Sequence, residues 1–118
     1  MTFTIDTYTL NVLDFTEESS PTATQWYAWE NDALKTKNFV YGLKRRWRLR
    51  CVEKNVAWNN SAAKYLREKC QNGEAVEFTV DEGDKYQLSA TNVYVLNISI
   101  EMETTGNVRY FSIILKEV

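Results

Sequence analysis

Apolar and polar residues alternate with a period of two along most of this chain, the pattern of strands that bury one face. The alternation is sharpest at Lys44–Cys51, where Arg46, Arg48 and Arg50 interleave with Trp47, Leu49 and Cys51. A strand there has one apolar face and one cationic face. Leu43 joins the inward set, Arg45 breaks it, and Gly42 marks a bulge or bend. Thr2–Phe15 also reads as strand. Phe3, Ile5 and Thr7 hold one parity and Leu10, Val12 and Asp14 the other, so a bulge or break is expected near Tyr8. Ala75–Val80 buries Val76, Phe78 and Val80 and pairs as a hairpin with a strand carrying Tyr86, Leu88 and Ala90. Val93–Glu103 is expected to turn Tyr94, Leu96, Ile98, Ile100 and Met102 inward, and Val95, Asn97, Ser99 and Glu101 outward. A turn at Thr104–Asn107 leads to a closing strand, Val108–Glu117, with Phe111, Ile113 and Leu115 inward.

One segment changes period. Ala62, Ala63, Leu66 and Cys70 form a helical stripe over Ser61–Cys70, with Asn60 or Ser61 as N-cap and Gly73 as left-handed stop. Thr16–Thr24, polar and carrying the only proline, reads as a loop. Gln25–Lys37 is ambiguous: Trp26, Trp29 and Ala33 fit a short helix, whereas Gln25–Trp29 equally fits a strand or an aromatic loop. Asn55–Asn60 reads as a connection, with Trp58 packed on the sheet. Runs of strands with one helix define an α+β class. The expected architecture is a mainly antiparallel β-sandwich or partly open barrel with one short flanking helix at about 61–70, its last four strands forming a meander.

Composition narrows this picture. A chain of 118 residues, 44% apolar and 14% aromatic, is long enough for a core and fits a single domain, 1–118. Met1 is followed by no basic then apolar leader, so synthesis in the cytoplasm without a secretion signal is expected, with no membrane partner. Cys51 and Cys70 read as reduced thiols, although a disulfide between them is possible. Without histidine the commonest general base is missing, and no zinc spacing or phosphate-binding glycine loop exists; no catalytic residue, cofactor or metal is expected.

The net charge is only −2, but its layout is uneven. Ala33–Val52 contains no acid and seven of the 14 basic residues. Acids gather at Asp14–Glu18, Glu74–Asp84 and Glu101–Glu103. Three readings follow. The cationic strand can be a solvated sheet face matched by Glu77, Glu101 or Glu103. It can be a single-stranded nucleic-acid platform using Arg46, Arg48 and Arg50, although Trp47 has the buried parity and is poorly placed for stacking. Or it can meet the acidic loop Asp81, Glu82 and Asp84 of another copy in a head-to-tail contact that closes into rings or stacks, with sheet edges adding to it. Trp26 and Trp29 are either partly buried or anchors for a partner.

Trp47–Cys51, the helix Ser61–Cys70, Val76-Glu77-Phe78, Tyr94–Ile98 and the close Arg109–Val118 occur in an order that resembles small tail proteins of tailed bacterial and archaeal viruses, of the tail-tube, tail-completion or distal-tail type. The resemblance covers roughly 39–118. It implies a non-enzymatic virion protein that forms rings, possibly hexameric, with itself and other tail proteins. It further implies acidic loops at a lumen or ring contact, passive contact with DNA in the channel, and the cationic strand as an inter-subunit surface.

Overall fold

The computed structural model describes residues 2–30, 33–103 and 105–118, with the backbone alone described for residues 20–44. The chain begins with β1 (Thr2–Ile5) and β2 (Tyr8–Leu10), a tight hairpin pairing Ile5 with Tyr8. The parity break expected near Tyr8 is this turn, and Asp6 holds it in the left-handed region at φ 50°. Asp6 also ties the turn to the body. Its backbone N–H donates to the Glu77 carbonyl (2.9 Å), its Oδ1 accepts from the Glu77 N–H (2.9 Å), and its Oδ2 accepts from the Tyr65 hydroxyl.

Two very long strands follow, β3 (Val12–Glu30) and β4 (Ala33–Lys54), paired along their whole length. This corrects the loop expected at Thr16–Thr24 and resolves the ambiguous Gln25–Lys37 as strand on both sides of residues 31 and 32, which lie outside the described residues. Pro21 is tolerated because β3 lies at the sheet edge, where a missing N–H costs no ladder bond on the open side. The bulge expected near Gly42 is present: Thr22 pairs with Gly42 and Ala23 with Val40, leaving Tyr41 as the extra residue.

After a 3-10 turn at Trp58–Asn60 comes α1 (Ala62–Asn72). Ser61 caps it by accepting from the Ala63 N–H (3.1 Å), and Gly73 ends it at φ 66°. Glu53 adds a carboxylate at the helix N-terminus, accepting from the Ser61 hydroxyl at 2.6 Å and from the Ala62 N–H at 3.3 Å. Ala62, Ala63 and Leu66 are buried against the sheet.

The remaining strands are β5 (Ala75–Asp81), β6 (Gln87–Met102) and β7 (Val108–Glu117). Two strands expected at Tyr86–Ala90 and Val93–Glu103 are thus one, interrupted by two bulges. Phe78 pairs with Thr91 but Val80 with Leu88; Val95 pairs with Leu115 but Asn97 with Ile114. Each extra residue inverts the parity. Leu88 is buried before the first bulge, Val93 and Val95 between the two, and Ile98 and Ile100 pack against the core after the second. The inward assignment of Ala90, Tyr94 and Leu96 is therefore corrected to outward, and that of Val95 to inward; Tyr94 and Leu96 are exposed, and Met102, expected inward, shares the parity of Ile98 and Ile100 but is exposed at the end of the strand.

Among the described residues all strands join one antiparallel seven-stranded sheet, in the order β2-β1-β5-β6-β7-β4-β3. It is an open sheet, neither two stacked layers nor a barrel closed by a ladder. Its two edges belong to one run of chain, since β2 ends at Leu10 and β3 begins at Val12. Asn11 carries the backbone across, its carbonyl accepting from the Val52 N–H (3.0 Å). The sheet therefore rolls around Trp47, Phe78, Phe111, Ile5, Leu49 and Leu66, all at or below 2% exposure. The meander is real but holds three strands, β5-β6-β7.

Two outcomes test this core. Trp47→Ala should destabilise by about 3–5 kcal/mol in urea unfolding, the cost of emptying a large buried site. The Tyr65 phenol is pushed up to about 12, first by its hydrogen bond to Asp6 and then by burial. A tyrosine raised in the folded state contributes stability that is complete below its unfolded value of about 10 and is lost as pH rises through 12. Tyrosinate absorbance, isolated by comparison with Tyr65→Phe, should show this group titrating lower in Asp6→Asn, which keeps the turn but removes the charge. An unchanged titration would detach Tyr65 from Asp6.

Candidate assembly interface

The strand β4 does two jobs. Over Arg46–Cys51 it pairs with β7 on one side and β3 on the other, and β7 continues alone to Lys54. Over Ala33–Arg45 its ladder partner among the described residues is β3 alone, so the two strands leave the body as a two-stranded ribbon. At roughly 3.3 Å per residue the ribbon reaches about 40 Å. The molecule is accordingly elongated, 71 × 33 × 21 Å.

The ribbon's root is held by a collar around Trp47. The ring of Trp47 meets Phe78 edge-on at 5.5 Å between centroids. Its indole N–H donates to the Tyr86 hydroxyl (3.0 Å), which donates to Glu17 Oε1 (2.9 Å). Arg45 explains its break in the alternation: its guanidinium lies 5.3 Å from the Trp47 ring centre and pairs with Glu117, its Nε donating at 3.1 Å. That hydrogen bond holds the Arg45 pKa above its ordinary value. Sequence reasoning missed this collar, because Glu17, Arg45, Tyr86 and Glu117 are far apart in the chain.

On the outer face, ladder register arranges side chains in rows across four strands. Tyr94, Lys116, Arg46 and Glu18 form one row, Asn97, Ile114, Arg48 and Thr16 the next, and Ser99, Ser112, Arg50 and Asp14 the third. Arg46, Arg48 and Arg50 are thus brought together and exposed, while Trp47 and Leu49 are buried. Their acidic neighbours are not Glu77, Glu101 or Glu103. Arg48 Nε stands 3.7 Å from Glu18 on β3, with both side chains more than half exposed, and Arg50 lies 5.3 Å from the Tyr110 ring centre. A shallow depression of about 290 Å³ runs between Asp14, Thr16, Arg48, Arg50, Ser112 and Ile114. Trp47, fully buried, is not available to stack on a base of a single-stranded nucleic acid.

Asp81, Glu82 and Asp84 lie on the β5–β6 turn, apart from the three arginines, and among the described residues no ion pair joins the two sets. The turn is built by local bonds: the Gly83 N–H donates to Asp81 Oδ1 (3.3 Å), the Glu82 N–H to the Tyr86 carbonyl (3.0 Å), and Gly83 takes φ 63°. Glu82 borders a groove of about 440 Å³ with Phe3, Val12, Leu13, Phe15, Lys85 and Tyr86. Trp26 and Trp29 stand near the far end of the ribbon, in register with Lys37 and Leu34; their side chains lie outside the described residues. The closing strand offers no edge, because β7 sits between β6 and β4; the edges are β2 and β3.

Both cysteines are free, and burial pushes the Cys51 thiol up to about 12. Among the described residues no acidic, cysteine or histidine cluster could hold a metal ion, and no helix is long and apolar enough to cross a membrane.

Rolled open sheet, single packed helix and projecting ribbon define the class: a small arm-bearing α+β fold. No protein-family model matches the chain, and no curated protein does. Its fold is similar to that of a chain in the solved virion of a native gene transfer agent particle, with a TM-score of 0.60 over 98% of this chain and 90% of that one. The two share 11% identity, so the likeness is one of fold.

Because the Arg48–Glu18 pair is exposed, Arg48→Gln should cost under about 0.5 kcal/mol in urea unfolding. A loss as large as that of Trp47→Ala would reverse the assignment of faces.

Proposed function

We propose that this protein is a non-enzymatic structural subunit of a phage-like virion, of the tail type, that assembles into rings or stacked rings with copies of itself and with other virion proteins. The ribbon carries this reading. A two-stranded ribbon is at best marginally stable in water, and three strands or a packed layer are normally needed. A ribbon reaching about 40 Å from its body is therefore a surface made to be covered by a neighbour. The fold shared with a chain of a gene transfer agent virion agrees with this role. So does the layout of charge, with an exposed arginine face and an exposed acidic turn on one subunit. Arg46, Arg48, Arg50, Asp81, Glu82, Asp84, Trp26 and Trp29 are the proposed contact residues, and DNA in a channel would be touched only passively.

Light scattering of the purified chain across a wide concentration range should give a discrete oligomer or tube. Joining Ser20 to Lys44 through Asn-Gly should leave a cooperatively unfolding body that stays monomeric. An excised variant that assembles to the same size as the full chain would remove the ribbon from the assembly, and a full chain that stays monomeric throughout would remove the role.

A further inference from the structure

We infer that one face of β4 carries a cationic stripe, extending from the arginines of the body to the lysines of the ribbon, that takes the acidic β5–β6 turn of a second copy of this chain. The inference deepens the assembly reading above and rests on it. Along β4 the residues Arg50, Arg48, Arg46 and Lys44 share one parity, whereas Lys37 and Lys35 have the other. In an unbroken strand the two lysines would stand on the opposite face from the arginines. The extra residue Tyr41 cancels that mismatch. The register makes this explicit, because β3 is unbroken through the bulge. Glu18, Ser20, Thr22, Thr24, Trp26 and Ala28 share one face of β3, and their partners are Arg46, Lys44, Gly42, Phe39, Lys37 and Lys35. The register therefore assigns six lysine and arginine positions to a single face over about 50 Å of strand.

Among the described side chains Arg48 lies 3.7 Å from Glu18, and Arg46 and Arg50 stand in register with Glu18 and Asp14, all at the body end of the strand. On β3 no carboxylate stands between Glu18 and Glu30, opposite most of the ribbon. The one cation of this span outside the stripe, Arg45, is already paired with Glu117. With six of the 14 basic residues on the stripe, the rest of the chain holds eight against all 16 acids. A second copy is thus itself the complementary acidic partner. Its densest acidic run is Glu74–Asp84, ending in a turn where Asp81 and Asp84 are exposed. Beside that turn lies the groove walled by Phe3, Leu13, Phe15 and Tyr86, which suits an aromatic residue accompanying the lysines; Trp26 is in register with Lys37. Stripe and turn are different surfaces, so the contact is heterologous and repeats from copy to copy.

The test moves charge between faces without changing composition. In the full chain, exchanging Lys35 with Thr36 and Lys37 with Asn38 (K35T, T36K, K37N, N38K) places both lysines on the other face. Association measured by light scattering at low salt should weaken at least about tenfold, with the circular dichroism of the body unchanged. Charge reversal at Asp81 and Asp84 to Lys should weaken association similarly. Mixing that variant with Lys35→Glu, Lys37→Glu should restore it. A face-exchanged variant that associates like the natural chain overturns the stripe while leaving assembly standing, and a natural chain that never associates overturns both. Salt-sensitive retention of a thymidine oligonucleotide that the exchange abolishes, with self-association untouched, would make nucleic acid the occupant and overturn the second copy.

Discussion

The burial of Trp47 is the constraint on which the rest depends. It sits at the last turn of ladder before β4 leaves β7, so it belongs both to the core and to the root of the ribbon. Its ring fills the space against Phe78, and its polar edge is satisfied by Tyr86. Tyr86 reaches Glu17 on the opposite ribbon strand. A buried indole N–H without a partner would cost on the order of 1–3 kcal/mol, so this chain of hydrogen bonds is what allows so large a ring at a boundary between core and water. It also fixes the register of β3 against β4 at the place where other strands stop supplying it.

The helix is held by a second polar cluster at the opposite end of the same strand. Glu53 follows the buried pair Cys51 and Val52 on β4 and receives Ser61, the first helical N–H and Arg109, whose Nη1 lies 3.3 Å from its Oε1. Both charged side chains are about nine-tenths buried, so each needs the other. Arg109 and Arg67 also flank the Trp58 ring at 5.1 and 5.0 Å, clamping the connection that leads into the helix. One strand therefore organises the molecule: Trp47 ties it to the ribbon, Glu53 ties it to the helix, and the residues from Trp47 to Cys51 alternate faithfully.

That faithfulness explains what was legible in the sequence. β5 and β7 each bury every second residue and were read with bounds within a residue or so, as was the helix, whose Ser61 and Gly73 announce its ends. The ribbon could not be read in the same way. Where the strand runs beyond its pairing with the body, apolar alternation does not announce it: Thr16–Thr24 has the composition of a loop, and Pro21 reinforces that impression although an edge strand tolerates it. β6 failed for another reason. Its extra residues lie at Ser89–Ala90 and at Leu96, and nothing in those residue types marks a bulge; the apolar run from Tyr94 to Met102 reads as one face until pairing with β7 splits it. Of the candidate site, the cationic face was legible because it sits on a regular strand. Its acidic neighbour Glu18 was not, because it lies in the segment mistaken for a loop.

The same reasoning bears on how such a subunit can meet a neighbour. β7 is enclosed, so the exposed edges are β2, which is short, and β3, which is long. A long free edge invites strand addition, and natural proteins blunt it with bulges, proline and charge. β3 has a bulge at Leu13, proline at Pro21 and the charges Asp14, Glu17 and Glu18 near its root. Its row of donors is therefore interrupted close to the body. Uninterrupted pairing of a neighbour along the full edge is therefore disfavoured by where the chain places its one proline and its bulges, which is the physical ground for proposing a contact through faces rather than through an extended ladder.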